Sequence, residues 1–242
     1  SQTTADPDRY DRFVKARSLL EAFRRGELKT SEVFDIKLLA WAYAVAHLLG
    51  ADHATSWYNS RFYYNPITSK IEPIGFDAFD NIQTISEVNT SLGAKFGHYL
   101  NTEKPIYHNF YAMLFRDQAF YSEYISSIEK LARDSYLDSF YHKIGKELKA
   151  NMAIIHIGTP SFVYPKELFY KRAADLRVLL NPEKGLHAFF YRRNKNILEI
   201  DVGNIQQLPL KIISASSSSG VFEPQKTIIL PGKALDVPVQ YQ

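Results

Sequence analysis

Asp52, Asn59, Asp77 and Asp80 bring carboxylate and amide oxygens together in one short part of the chain. These are hard donors, suited to a small divalent cation such as Mg²⁺ with phosphate oxygens completing its coordination. The stretch Trp57–Asp80, WYNSRFYYNPITSKIEPIGFDAFD, has the pattern of a β-hairpin. Its first arm, Arg61 to Tyr64, is aromatic, and its second carries Ile71, Pro73 and Ile74. Asn65-Pro66-Ile67-Thr68-Ser69 between them suits a turn. A turn centred near residue 68 sets Asn59 opposite Asp77, where paired Cα atoms lie roughly 4.5–5.5 Å apart, close enough for one cation to touch both side chains. Asp52 precedes the hairpin and could act as a base or orienter toward a hydroxyl nucleophile. Spacing alone favours a plain surface hairpin, with Asn and Asp shaping turns and the aromatics packing on a helix.

Two helices must position this hairpin. Residues Pro7 to Arg25 carry Phe13, Ala16, Leu19, Leu20 and Phe23 on one stripe, with Asp6 as N-cap, Pro7 in the first turn and Gly26 beyond the end. Asp35 is a natural N-cap for Ile36–Leu49, and Gly50 follows that segment. The helix is apolar nearly all round, interrupted by Lys37 and His47, which predicts a position at the centre of the core. The loop Ala51–Ser56 then leads to the hairpin.

Beyond it, Ala94–Leu100 and Asn109–Phe115 are short helical candidates. Asp117 caps a helix to about Arg133 with Phe120, Tyr124, Ile128 and Leu131 as its stripe. Ser135 with Asp138 resembles a capping box for a helix to Ile155, and Pro165–Leu180 reads as the next. From Gly185 the pattern shifts to short strands: Leu186–Arg192, Ile197–Val202, Leu208–Ile213 and Thr227–Leu230. Asn194-Lys195-Asn196 and the Ser216–Gly220 cluster serve as turns. The fold class is therefore α+β: a mainly helical domain over 1–183 with a hairpin bearing the site, then a small all-β, sandwich-like module over 184–242.

Composition narrows the function. The net charge of +3, from 29 basic and 26 acidic residues, gives no basis for binding nucleic acid. There is no cysteine, so disulfides and thiolate metal sites are excluded. The longest apolar run, Leu38–Leu49, is too short for a transmembrane segment. His47 and His53 lack the i,i+4 spacing of a helical zinc pair, and His47 on an apolar helix reads as a core histidine. Ser216–Ser219 lacks the G-x-S-x-G setting of a hydrolase nucleophile.

The segment from Val33 to Asp80 resembles the spore-coat protein H (CotH) kinase family, which joins an apolar helix, a loop Asp, an Asn and a strand pair ending in a Pro-x-x-Asp-x-Asp-like element. Here that element is Pro73-Ile74-Gly75-Phe76-Asp77-Ala78-Phe79-Asp80, with Phe76 where the family usually has Trp. The resemblance implies a kinase-C-lobe-like fold that transfers phosphoryl from ATP with Mg²⁺ to Ser or Thr of secreted or surface proteins. Asp77 then corresponds to the metal-binding aspartate, Asn59 to the asparagine sharing the metal, Asp80 to a further ligand and Asp52 to the catalytic aspartate. It also implies a cell-envelope or secreted location and a protein substrate. Phosphoryl transfer needs a phosphate cover and a strand-borne Lys, and no G-x-G-x-x-G or P-loop precedes the helix. The expectation is a C-terminal-lobe fragment, a poor kinase in isolation. The alternatives are a surface scaffold whose β module binds a glycan or protein, and a structural domain with no retained site.

Overall fold

The computed structural model describes residues 6–55, 59–77, 110, 113–194, 197–206, 208–218, 220–230, 232–233 and 239. Helix α1, Pro7–Arg24, starts where expected: the Asp6 carboxylate accepts the N–H groups of Asp8 and Arg9 at 3.1 and 3.2 Å. The predicted stripe packs on the core from Ala16 through Leu19 and Leu20 to buried Phe23, while Phe13 at its other end is exposed. A single turn, α2 (Thr30–Val33), follows.

Helix α3, Ile36–Leu49, is the central element. The Asp35 carboxylate accepts Lys37 N–H and Leu38 N–H at 3.1 and 3.0 Å. At the other end Gly50 takes φ 65°, the left-handed conformation that closes the helix at little steric cost for glycine. Leu39, Ala40, Tyr43, Ala44, His47 and Leu48 are buried. The expectation of burial all round needs correcting, because Leu38 and Leu49 are exposed and share one helical stripe with half-buried Trp41, Ala42 and Val45. A one-turn helix α4, Asp52–Thr55, replaces the expected loop.

The hairpin forms as β1 (Arg61–Asn65) and β2 (Lys70–Ile74). Of the central segments expected from sequence, Phe110 and residues 113–116 are helical, while Ala94–Leu100 lies outside the described residues. Helix α5, Gln118–Leu131, lies along α3 and buries the expected stripe of Phe120, Tyr124, Ile128 and Leu131. Full burial of each such side chain stabilises by roughly 1.5–3 kcal/mol. His47 is a satisfied core histidine: its Nδ1 lies 2.6 Å from the buried Tyr124 hydroxyl.

Helix α6 runs over Asp134–Gly158 and buries Leu137 and Tyr141. It starts before Ser135, so the expected capping box does not form; Asp138 instead accepts the Tyr170 hydroxyl at 2.6 Å. Helix α7, Lys166–Leu180, sets Phe169, Arg172, Ala173 and Leu176 in the core. Arg172 is fully buried, and its Nη1 donates to the Leu48 carbonyl at 2.8 Å, placing a cation at the negative end of α3.

Strands begin again at β3 (Leu186–Asn194) and β4 (Ile197–Asn204), a ribbon with a bulge between Phe190 and Arg192. β5 (Leu210–Ile212) pairs with β8 (Ile228–Leu230), and β6 (Ala215–Ser217) with β7 (Gly220–Phe222). The chain is thus mixed helix and strand, compatible with α+β. The sandwich-like expectation is not met among the described residues, where every sheet is a two-stranded antiparallel ribbon. Part of the serine run, expected as a turn, forms β6. Among the described residues no helix is long and apolar enough to cross a membrane.

A Cβ on Gly50 would meet Arg172 Nη2 at 2.2 Å and Cζ at 2.7 Å. Gly50→Ala is expected to lose about 3 kcal/mol, from the left-handed backbone and the displaced buried cation. Urea unfolding checks this, and part of the loss should vanish in an Arg172→Leu background. The α5 N-cap gives an acid test. Burial raises the Asp117 pKa, but hydrogen bonds from Ser31 and from Ala119 N–H outweigh it and hold the carboxyl below its ordinary value. A lowered folded-state pKa stabilises above the unfolded pKa and is lost as pH falls through the folded one. Asp117→Ala should therefore cost about 1–2 kcal/mol near neutral pH. That difference should shrink in melts taken below the ordinary carboxylate range.

Candidate functional site

The hairpin is fixed to the start of α3 by its second strand. Asp35 N–H donates to the Ile71 carbonyl at 2.9 Å, and Phe34 pairs with Ile71 in a parallel bridge. Lys70 Nζ caps α2 by donating to the Ser31 and Glu32 carbonyls at 2.9 and 2.7 Å. Ile71 is buried, and the Phe34 and Phe62 ring centroids lie 5.5 Å apart, so the inner face of the hairpin belongs to the core.

Its register differs from the expectation by one residue. The ladder runs from Asn65↔Lys70 to Arg61↔Ile74, around the loop 66–69. Asn65 Oδ1 accepts Ile67 N–H at 2.9 Å, and Ser69 turns the chain at φ 56°. Continued outward, that ladder faces Asn59 with Phe76, not Asp77. The two site residues nevertheless meet: Asn59 Nδ2 donates to Asp77 Oδ2 at 3.1 Å. Asp77 adopts φ 48°, which ends the extended conformation after the last ladder pair. The approach arises from that local turn.

Of the residues predicted to form the site, these two are brought together. Asp80 and the Asp52 side chain lie outside the described residues, although the Asp52 backbone begins α4. A carboxylate and an amide supply hard donors, and Mg²⁺ is commonly held by one or two carboxylates with waters and phosphates. To join such a shell, the Asn59 amide would turn to present its oxygen in place of the N–H now given to Asp77. Among the described residues, no group of three or more His, Asp or Glu could hold a metal ion. A cation at this pair would need most of its ligands from outside the two side chains.

Beside the pair, between α3 and the hairpin, is a cavity of about 260 Å³ lined by Trp41, Val45, Leu49, Phe62, Ile74 and Phe76. The Arg61 guanidinium lies 4.6 Å from the centre of the Phe76 ring, and its Nη1 donates to the Ser60 carbonyl at 3.1 Å. The volume is just below the roughly 300–1,000 Å³ of sites for drug-sized ligands. An apolar slot bordered by the Arg61 side chain suits a flat apolar group attached to a polar one. Sequence reasoning missed this slot because it assigned all of α3 to the core; the aligned Leu38, Trp41, Ala42, Val45 and Leu49 were the available signal. Of the hairpin tyrosines, Tyr63 is exposed and Tyr64 half-buried, while Tyr58 lies outside the described residues.

The positive φ at Asp77 can be tested. Asp77→Gly should stay within about 1 kcal/mol of the parent, since relief of the left-handed backbone offsets the lost hydrogen bond. Asp77→Val places a β-branched side chain there and should cost about 2 kcal/mol. Equal urea midpoints for the two variants would contradict the backbone described.

Comparison of the chain with protein-family models, with curated proteins and with solved structures finds no match.

Proposed function

We propose that this chain supplies the metal-binding half of an ATP-dependent phosphoryl-transfer site of the CotH type, acting on Ser or Thr of secreted or surface proteins. The observation that carries the reading is the 3.1 Å contact between Asn59 and Asp77, on a hairpin anchored to an apolar central helix. In this reading Asp77 and Asn59 hold Mg²⁺, with Asp80 adding a carboxylate. The chemistry supplied by such an ion would be positive charge against the phosphate groups during transfer. Asp52, at the start of α4, would accept the proton of the acceptor hydroxyl.

The described residues ahead of the hairpin form helices α1 to α4, and none forms a sheet that could cover the phosphates. In this reading the pair still binds Mg²⁺ with nucleotide at millimolar concentration, while the cover that orients the phosphates for rapid turnover would come from another segment or partner. A second reading, a non-catalytic surface scaffold, is favoured by one observation. Phe189, Phe190 and Tyr191 on β3 are 54%, 70% and 60% exposed, the side-chain character of a protein or glycan contact.

The test is a thermal melt with Mg²⁺ and millimolar ATP. Nucleotide at tenfold its Kd stabilises by roughly 1.4 kcal/mol. For a chain of this size that is an upward shift of about 3 °C. The shift should disappear in Asn59→Ala and in Asp77→Gly. Absence of any shift in the unmodified chain would overturn the phosphoryl-transfer reading, and binding of a surface partner lost in Phe190→Ser but kept in Asp77→Gly would favour the scaffold.

A further inference from the structure

Helices α6 and α7 meet through a tyrosine cluster remote in sequence from the hairpin. Pro165 has φ −81° and ψ 54°, and Lys166 N–H donates to the Tyr164 carbonyl at 2.8 Å. This is an inverse γ-turn, favoured by the fixed φ of proline. It leads straight into α7, where Lys166 and Tyr170 are i,i+4 neighbours on one face. From α6, Asp138 and Tyr141 face them at i,i+3.

The rings of Tyr141 and Tyr170 lie within 20° of parallel, with centroids 5.9 Å apart. Tyr164 stands nearly upright to Tyr141 at 76°, its hydroxyl 3.5 Å from that of Tyr141. The Lys166 ammonium lies 4.9 Å from the Tyr141 ring centre and 5.5 Å from that of Tyr170. One cation therefore rests on two ring faces. Asp138 fixes the Tyr170 ring through the 2.6 Å hydrogen bond from its hydroxyl. That bond, with lesser contributions from burial and from the charges of Asp138, Glu167 and Asp134, pushes the Tyr170 hydroxyl up to about 12. The two ring faces with the Asp138 and Glu167 carboxylates favour positive charge here, Asp134 being paired with Arg177 Nη1 at 2.8 Å.

An internal ammonium is a poor best ligand for such a surface. Primary ammonium is strongly hydrated, and Lys166 remains exposed, so its seat gains little. Its advantage is tethering, which supplies an effective concentration in the millimolar range. A quaternary alkylammonium sheds water more readily and meets the same ring faces, so it can displace the lysine where a free primary amine cannot. We propose that the Tyr141–Tyr170 platform is a quaternary-ammonium binding site that Lys166 occupies as an internal surrogate. The site takes the charged head of a trimethylated lysine or of a choline-type molecule, and it is independent of the phosphoryl-transfer reading.

The experiment titrates the full chain with tetramethylammonium and follows tyrosine ring NMR signals. Lys166→Ala should bind at least fivefold more tightly than the unmodified chain, and Lys166→Gln should do the same if the alanine variant unfolds. Tyr170→Leu added to either should abolish binding. Choline should bind at least tenfold more tightly than its neutral isostere 3,3-dimethylbutanol. Parallel titrations with choline and with a trimethyl-lysine peptide identify the source of the head group, and tighter binding of either supports the site. Equal affinity in the unmodified chain and both Lys166 variants would overturn the proposal, as would equal affinity for choline and the neutral isostere.

Discussion

Asp35 sets the relation on which the candidate site rests. Its carboxylate starts the central helix by accepting Lys37 and Leu38 N–H, and its own N–H holds the Ile71 carbonyl at 2.9 Å. One residue thus determines where α3 begins and where β2 lies against it. With Ile71 buried and Lys70 capping α2, the hairpin cannot slide along the helix without exposing apolar surface and freeing backbone groups. The open end of the hairpin, where Asn59 meets Asp77, inherits its position from that tie.

The opposite end of α3 is organised by charge. The helix ends in carbonyls that bear partial negative charge, and Arg172 reaches one of them from α7. A fully buried guanidinium is costly unless its surroundings compensate it, and the fit leaves no room for a side chain at Gly50. The glycine therefore has two functions: it permits the left-handed turn out of the helix and it clears space for the arginine.

What could be read from the sequence was local. Asp6, Asp35 and Asp117 each cap the helix that follows, because an N-cap needs only its own side chain and the next backbone N–H groups. The hairpin was readable for the same reason. Its register was not, because Ser69 turning at φ 56° fixes the loop at 66–69, which moves the expected centre by half a residue. The meeting of Asn59 with Asp77 was expected, but from cross-strand pairing and not from the turn at Asp77. Burial of Arg172 and the cluster around Lys166 stayed hidden because partners on distant helices create them. The β region showed its strands, but which strands pair, and that each pairs only once among the described residues, depends on contacts that alternation does not encode.

The Thr30 hydroxyl donates to the Leu114 carbonyl at 2.9 Å, across 84 residues of chain. By contrast, Asp35 and Ile71 are much nearer in sequence, and α3 and the hairpin are each local. Loop-closure entropy rises with separation, so the α3–hairpin unit has the smaller search and α5 must dock across the longer one. Docking of α5 onto α3 is therefore the later and slower step, and the Thr30–Leu114 hydrogen bond is among the contacts that form with it.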